Sequence, residues 1–251
     1  MVGPLAPEFR IFPGLPQASL ALAEELTTRT LRAQSLGLPF RWVIPGGETP
    51  RTLFSLLAER FRDRIPWSSI HLFWSDERWV PHDHPESNYR LAATTLLKSH
   101  LIQPPQVHPI PTDLASPELA AVSYERLLRK PMGGLAPSPY LLDLAILGVG
   151  PDGHTASLFP DSPVLRESER FVRGVPDSPT SPHVARVTLT LPAFQRTRQV
   201  FFLASGATKR EVVERVRADF RTAVDRFPAA RVQSTDPVVW FVDTAATGAS
   251  A

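Results

Sequence analysis

Leu147-Gly-Val-Gly-Pro-Asp-Gly-His-Thr-Ala-Ser-Leu-Phe-Pro160 follows directly on Tyr140-Leu-Leu-Asp-Leu-Ala-Ile146, an apolar run of strand length with one interruption. A run of that kind is the pattern of a strand buried on both faces, as in a parallel sheet. The chain then turns glycine-rich, with Gly148, Gly150 and Gly153 close together. Glycines there let backbone N–H groups approach a ligand. In open α/β sheets ligands collect at the carboxyl ends of strands, where this loop is expected to lie. Asp152 and His154 sit on it two residues apart. Histidine titrates near neutral pH, and a carboxylate beside it sets its tautomer and raises its basicity, the arrangement of a general base with its orienting acid. The same residues also fit a turn with an aspartate cap and a surface histidine, and the pattern alone does not choose between the two.

Working outward, the same alternation recurs along the chain. Phe40-Arg-Trp-Val-Ile44 reads as a strand running into Pro45-Gly-Gly-Glu-Thr-Pro50, with Thr49 as the expected N-cap and Pro50 at the first helical position. A glycine pair at a helix N-terminus offers free N–H groups and the positive end of the helix dipole, an anion site, although a lone Gly-Gly is also a common turn. Ile70-His-Leu-Phe-Trp74 is the next strand and delivers Ser75-Asp-Glu-Arg-Trp-Val-Pro81 to the same edge, with Asp76 and Arg78 placed to face a ligand or to form a surface ion pair. Ser87 is expected to cap a helix from Asn88 to about Lys98, and Ser116 another to about Lys130. His82-Asp-His84 lacks a third ligand at useful spacing, so no metal site is expected. Val184 to Leu191 and Gln199 to Ala204 read as strands, the latter followed by Ser205-Gly-Ala-Thr-Lys209 and a helix; Val238 to Val242 is the last strand. Glu8 to Phe12 and Arg170 to Val175 are weaker strand candidates, Val107 to Ile110 a short edge strand, and Gln17 to Leu36 a helix. Pro131 to Pro139 is expected to be a loop.

Strands alternating with helices predict an α/β fold: a single domain over residues 1–243, mainly parallel and doubly wound, with helices on both faces. Residues 244–251 are small and polar and are expected to fray.

Composition bounds the function. At 251 residues the chain can bury a full core, and 43% hydrophobic with 21% charged residues is ordinary for a globular domain. A net charge of +2 without a basic block gives no footprint for nucleic acid. No apolar run reaches membrane length, and the first ten residues show no signal-peptide pattern, so a cytoplasmic protein with no membrane partner is expected, as a monomer or small homo-oligomer. Zero cysteines remove disulfides, thiol nucleophiles and cysteine metal sites. Three lysines among 27 basic residues, one asparagine (Asn88) and 27 prolines suggest a GC-rich or thermophilic origin. Lys209 therefore stands out, as a lysine at a strand-to-helix turn in a chain that prefers arginine. A point charge there suits a phosphate, as does Arg186 on the preceding strand, while a snorkelling surface lysine is the plainer reading.

Taken together, Pro45-Gly-Gly-Glu-Thr-Pro50, Trp74-Ser-Asp-Glu-Arg-Trp-Val-Pro81 with Ser87-Asn88, Leu147 to Pro160 and Arg186-Val-Thr-Leu-Thr190 resemble the 6-phosphogluconolactonase family in order and spacing. The resemblance covers all but the first dozen residues and the tail. It implies the α/β fold shared with glucosamine-6-phosphate deaminases, and hydrolysis of 6-phospho-D-glucono-1,5-lactone without metal or organic cofactor. By the same resemblance His154 activates water, Asp152 orients it, Asp76 is a second carboxylate in the site, and Gly46, Gly47, Thr49, Arg78, Arg186 and Lys209 bind the substrate and its phosphate. Arg78 is equally open to stabilising the oxyanion. Glu48, where the family often has a small or basic residue, is expected to face solvent. The deaminases place a proton-transferring glutamate five residues past the histidine; Phe159 stands there, which favours hydrolysis over isomerisation. A sugar-phosphate sensor is the reading from another class, and the presence of His154 weighs against it.

Overall fold

The structure is a computed structural model that describes residues 5–130 and 139–248. In chain order its elements are β1 (Glu8–Phe12), α1 (Leu15–Ser35), β2 (Phe40–Ile44), α2 (Thr49–Arg60), β3 (Ile70–Trp74), β4 (Asp76–Arg78), α3 (Asn88–Thr95), β5 (Val107–His108), α4 (Pro117–Arg129), β6 (Leu142–Leu147), β7 (Val172–Val175), β8 (Arg186–Leu189), α5 (Leu191–Gln195), β9 (Thr197–Ala204), α6 (Arg210–Ala218), α7 (Phe220–Ala223), β10 (Val239–Asp243) and α8 (Thr244–Thr247), joined by loops and short 3-10 turns.

Seven strands form a parallel sheet in the order β1-β10-β9-β6-β2-β3-β5. Every residue of β2 and of β10 is buried, so these strands are covered on both faces, as their unbroken apolar character requires. α1 and α2 pack together, and Leu22 and Leu26 of the first and Leu53 and Leu57 of the second are fully buried. Trp42, Phe54, Phe73, Phe201 and Phe241 are likewise inaccessible, and truncating any one of them to alanine would cost about 3–5 kcal/mol. No helix among the described residues is long and apolar enough to cross a membrane.

The mainly parallel α/β sheet expected from the alternation is present. A second sheet, of three antiparallel strands in the order β4-β8-β7, was not foreseen. Ser75 is the point of transfer: its N–H donates to Ile44 O in the parallel sheet (3.0 Å) and its C=O accepts from Leu189 N in the small one (2.8 Å). Asp76 to Arg78, read as a loop-like strand end, therefore continues as a strand of different partners. α4 packs against β7 and β8, held by Glu118 and Glu125, which pair with Arg170 and Arg173.

Local expectations needed three corrections. α2 starts at Thr49, so Glu48 is the capping position and makes no side-chain cap bond; Thr49 is helical rather than the cap. α3 stops at Thr95 and gives way to a 3-10 turn at Leu97–Ser99, although Ser87 caps it as expected, accepting from Arg90 N. Thr244–Thr247, expected to fray, form a helical turn capped by the Asp243 carboxylate, with Ala246 and Thr247 buried. Residues 249–251 of that tail, and all of the loop expected at 131–139 but its last residue, lie outside the described residues.

Candidate active site

The order of the parallel sheet places the site. From β2 the chain proceeds to β3 on one side, while β6 leads to β9 on the other. Crossovers that diverge between two neighbouring strands open a crevice at their carboxyl ends. A cleft of about 220 Å³ lies there, lined by the loops that follow β2, β3, β6 and β9 and by β8. Its walls include Gly46, Gly47, Thr49, Asp76, Arg78, His154, Arg186 and Lys209. Asp152 does not line the cleft but stands behind His154.

The loop after β6 is closed on itself: Gly150 N donates to His154 O (2.8 Å) and Gly153 N to Gly150 O (3.0 Å). That closure brings the Asp152 carboxylate to 2.6 Å from His154 Nδ1. The carboxylate can only accept, so Nδ1 carries the proton and Nε2 is left as the ring's free acceptor. Burial pushes the Asp152 carboxyl up, but the hydrogen bond and charge of His154 outweigh it, and its pKa falls below the usual carboxylate range. Gly150 is required by space: a Cβ there would lie 2.1 Å from His154 Nδ1 and 2.5 Å from Asp152 Oδ1. Phe159 packs against the imidazole, ring centroids 5.0 Å apart, and also under the Arg186 guanidinium, 5.6 Å from its ring.

Asp76 is 5% exposed and held at both carboxylate oxygens. Its Oδ2 accepts from Ser157 Oγ (2.7 Å) and its Oδ1 from Ser75 Oγ (3.0 Å), so the loops after β3 and β6 are tied together through one carboxylate. Strand alternation turns the next residue the other way. Glu77, 1% exposed, faces the N-terminus of α3, where its carboxylate accepts from Asn88 N (2.8 Å), Tyr89 N (2.8 Å) and Ser87 Oγ (3.0 Å). Burial raises its pKa, and these bonds oppose the rise. Glu77 and Ser157 were missed in the sequence; the charge triplet with Ser87-Asn88 downstream was the available signal for the first, and the second had none.

The cations occupy the other walls. Arg78 and Arg186 are direct cross-strand partners on β4 and β8. Arg186 is 3% exposed; its Nη2 donates to Pro182 O (3.1 Å) and Thr180 O (3.4 Å), and its Nε has no partner. Burial lowers its pKa, and the nearby Asp76 charge counters this. The Arg78 guanidinium donates to Glu86 O, while its Nε is also buried without a partner. Burial lowers the Lys209 pKa, the Asp152 charge raises it in part, and the residue lines the cleft. The Gly46–Gly47 turn, with Gly47 at φ +88°, precedes the uncapped N-terminus of α2. Glu48 points to solvent, its side chain 84% exposed and paired with Arg51 at 3.0 Å. His82 Nε2 donates to Ile110 O (2.9 Å) and His84 Nδ1 accepts from Glu86 N (3.2 Å), so these rings serve separate loop contacts.

The family described as glucosamine-6-phosphate isomerases/6-phosphogluconolactonase matches residues 16–240. The 6-phosphogluconolactonase of Synechocystis sp. is 37% identical over 218 residues, spanning 87% of this chain and 88% of that protein. The crystal structure of 6-phosphogluconolactonase from Thermotoga maritima superposes with a TM-score of 0.79 at 31% identity, covering 94% of this chain and 99% of that one. A monomeric glucosamine-6-phosphate deaminase has a TM-score of 0.75 at 16% identity over 96% of this chain and 99% of its own, a likeness of fold alone.

Proposed function

The chain belongs to the glucosamine-6-phosphate isomerase/6-phosphogluconolactonase family, and on that footing we propose that it is an enzyme hydrolysing 6-phospho-D-glucono-1,5-lactone to 6-phospho-D-gluconate. The observation that carries the mechanism is the dyad: Asp152 bound to His154 Nδ1 at 2.6 Å, with the ring on the wall of the cleft.

A lactone is an activated ester whose leaving group is its own ring oxygen, so a water with a proton acceptor suffices and no covalent nucleophile is needed. His154 Nε2 takes a proton as the water oxygen bonds to C1, and the carbonyl pair moves onto oxygen. When the carbonyl re-forms, the C1–ring oxygen bond breaks and His154 returns the proton to the departing alkoxide. Asp152 holds the imidazole in the required tautomer and stabilises the imidazolium between the two steps. Asp76, anchored by Ser157 and Ser75, presents an acceptor to a substrate hydroxyl.

Two arginines opposite each other on neighbouring strands repel unless an anion lies between them. Their place on the cleft wall, with the Gly46–Gly47–Thr49 turn beside it, supports phosphate binding there. Lys209, on the cleft wall, adds a further point charge for the phosphate or for the oxyanion formed at C1. Phe159 stands five residues past His154, where the resemblance to the deaminases implies a proton-transferring glutamate, and its apolar ring cannot serve.

The test is 6-phosphogluconate formation from freshly generated lactone, followed through 6-phosphogluconate dehydrogenase against a no-enzyme blank, with glucosamine-6-phosphate in parallel. Acceleration that disappears in His154→Ala is expected. Ammonia release from the amino sugar without lactone opening would refute the hydrolase.

A further inference from the structure

Asn88, the sole asparagine of the chain, has no part in the chemistry above, yet it is 2% exposed and touches two walls of the cleft. Its orientation is unambiguous. The side-chain Nδ2 donates to Asp76 O (2.9 Å), a carbonyl that can only accept, and lies 3.4 Å from Asp76 Oδ1. Oδ1 must then point the other way. There it lies against the backbone of Gly46, so close that a Cβ on that residue would sit 1.9 Å from it. Oδ1 is buried and has no hydrogen-bond partner. A buried amide with one end left unsatisfied is a liability that an ordinary core would exchange for an apolar side chain. Main-chain anchoring adds to the picture: Asn88 N donates to Glu77 Oε1 at 2.8 Å, so the head of α3 is tied to β4 independently of the side chain.

We propose that Asn88 is a positioning residue that locks the Gly46–Gly47 anion turn to Asp76, fixing the span between the phosphate end and the sugar end of the cleft. One arm is the hydrogen bond to the Asp76 carbonyl, which fixes the backbone that carries the carboxylate. The other is the steric seat under Gly46, which sets where the turn's amide groups face. Gly46 is glycine because the amide lies where a side chain would begin, and the pair acts as one contact. The inference rests on the reading of this cleft as a sugar-phosphate lactonase, but half of its test does not.

Asn88→Leu is nearly isosteric: it keeps the seat and removes the donor. It is expected to lower kcat on the lactone more than tenfold, to leave the dissociation constant of inorganic phosphate, measured by calorimetry, within twofold of wild type, and to leave the melting temperature unchanged or higher. Gly46→Ala pushes on the seat and should weaken phosphate at least fivefold, and adding Asn88→Ala to Gly46→Ala should restore phosphate binding towards wild type, because the new methyl takes the vacated space. A merely structural asparagine would lower the melting temperature without separating kcat from phosphate affinity. The proposal is overturned if Asn88→Leu retains kcat within threefold, or if Gly46→Ala binds phosphate normally or is not relieved by Asn88→Ala. Should Gly46→Ala not fold, the Asn88→Leu result decides alone. A wild type that binds phosphate but opens no lactone would refute the function, and the phosphate measurements would still judge the Asn88–Gly46 contact.

Discussion

Replacing Gly150 by alanine removes no functional group, yet the structure requires it to damage the dyad. The φ of Gly150 is outside the left-handed region, so the backbone itself accepts alanine. Space does not. The new Cβ would lie 2.1 Å from His154 Nδ1, 2.2 Å from its Cε1 and 2.5 Å from Asp152 Oδ1. Each distance is at least ~1 Å inside the roughly 3.5 Å at which non-bonded atoms sit comfortably. The loop cannot widen to make room without breaking the Gly150 N to His154 O and Gly153 N to Gly150 O bonds. The imidazole must therefore move by about 1 Å or more, and the 2.6 Å bond to Asp152 goes with it. A displacement of about 1 Å at a reacting group costs on the order of 10²-fold in rate. Overpacking of this kind also destabilises a fold by about 1–3 kcal/mol. The assay is kcat/KM for the lactone in the coupled system, with the melting temperature and phosphate affinity measured alongside. We expect kcat/KM to fall by about 10²-fold, phosphate binding to persist and the protein to remain folded. A Gly150→Ala enzyme within threefold of wild type would refute the reasoning, since it would mean that the dyad geometry is not what sets the rate.

Further predictions concern the same groups from other sides. Asp152→Asn keeps the shape of the dyad but withdraws the charge that stabilises the imidazolium; kcat should fall by about 10²–10⁴-fold, and a loss confined to KM would contradict the assigned role. Lys209→Met should raise KM for the lactone with a smaller effect on kcat if the ammonium holds phosphate, and an unchanged KM would remove it from that set. Away from the site, His71 Nδ1 and His108 Nε2 are 3.0 Å apart on β3 and β5. Burial, the neighbouring histidine and Arg41 depress His108 from 6.5 to about 4, and burial and Arg41 depress His71. Because the folded pKa values lie below the unfolded ones, the unfolded chain takes up protons first, and stability is lost as pH falls from about 6.5 towards 4. With the rings only part-buried, solvent screening reduces the effect to about 1–2 kcal/mol. Denaturant titrations of wild type and His108→Gln across that window should show a flatter acid limb in the variant, and parallel limbs would exclude the pair as its source.

The extent to which this molecule could be read from its chain follows from the range of each interaction. The strands of the parallel sheet announce themselves because burial on both faces demands continuous apolar runs, and β2, β6, β9 and β10 each fit in a window of eight residues or fewer. Asp152 and His154 are two residues apart on one glycine loop, so their contact is local and visible in the sequence. Glu48 was expected to face solvent because an inward carboxylate would repel a phosphate, and in the structure Arg51, three residues away, takes it. The register between strands is another matter, since it depends on segments that meet only in the folded state. Asp76 and Ser157 meet across 81 residues, and Gln199 and Arg29 across 170. That Arg78 faces Arg186 is a consequence of the β4–β8 register.

By itself, then, the sequence determined the α/β class, the strand ends that carry the cleft's residues and the placing of Asp152 and His154 on one loop, because periodicity and nearest-neighbour chemistry are written in short windows. Tertiary structure alone decided that Ser75 passes the chain from one sheet to another, that Asp76 is clasped by Ser157 rather than paired with Arg78, and that Asn88 lies under Gly46. Those outcomes are settled by packing, where a gap of one methyl group between distant segments determines which residues touch, and no local pattern carries that information.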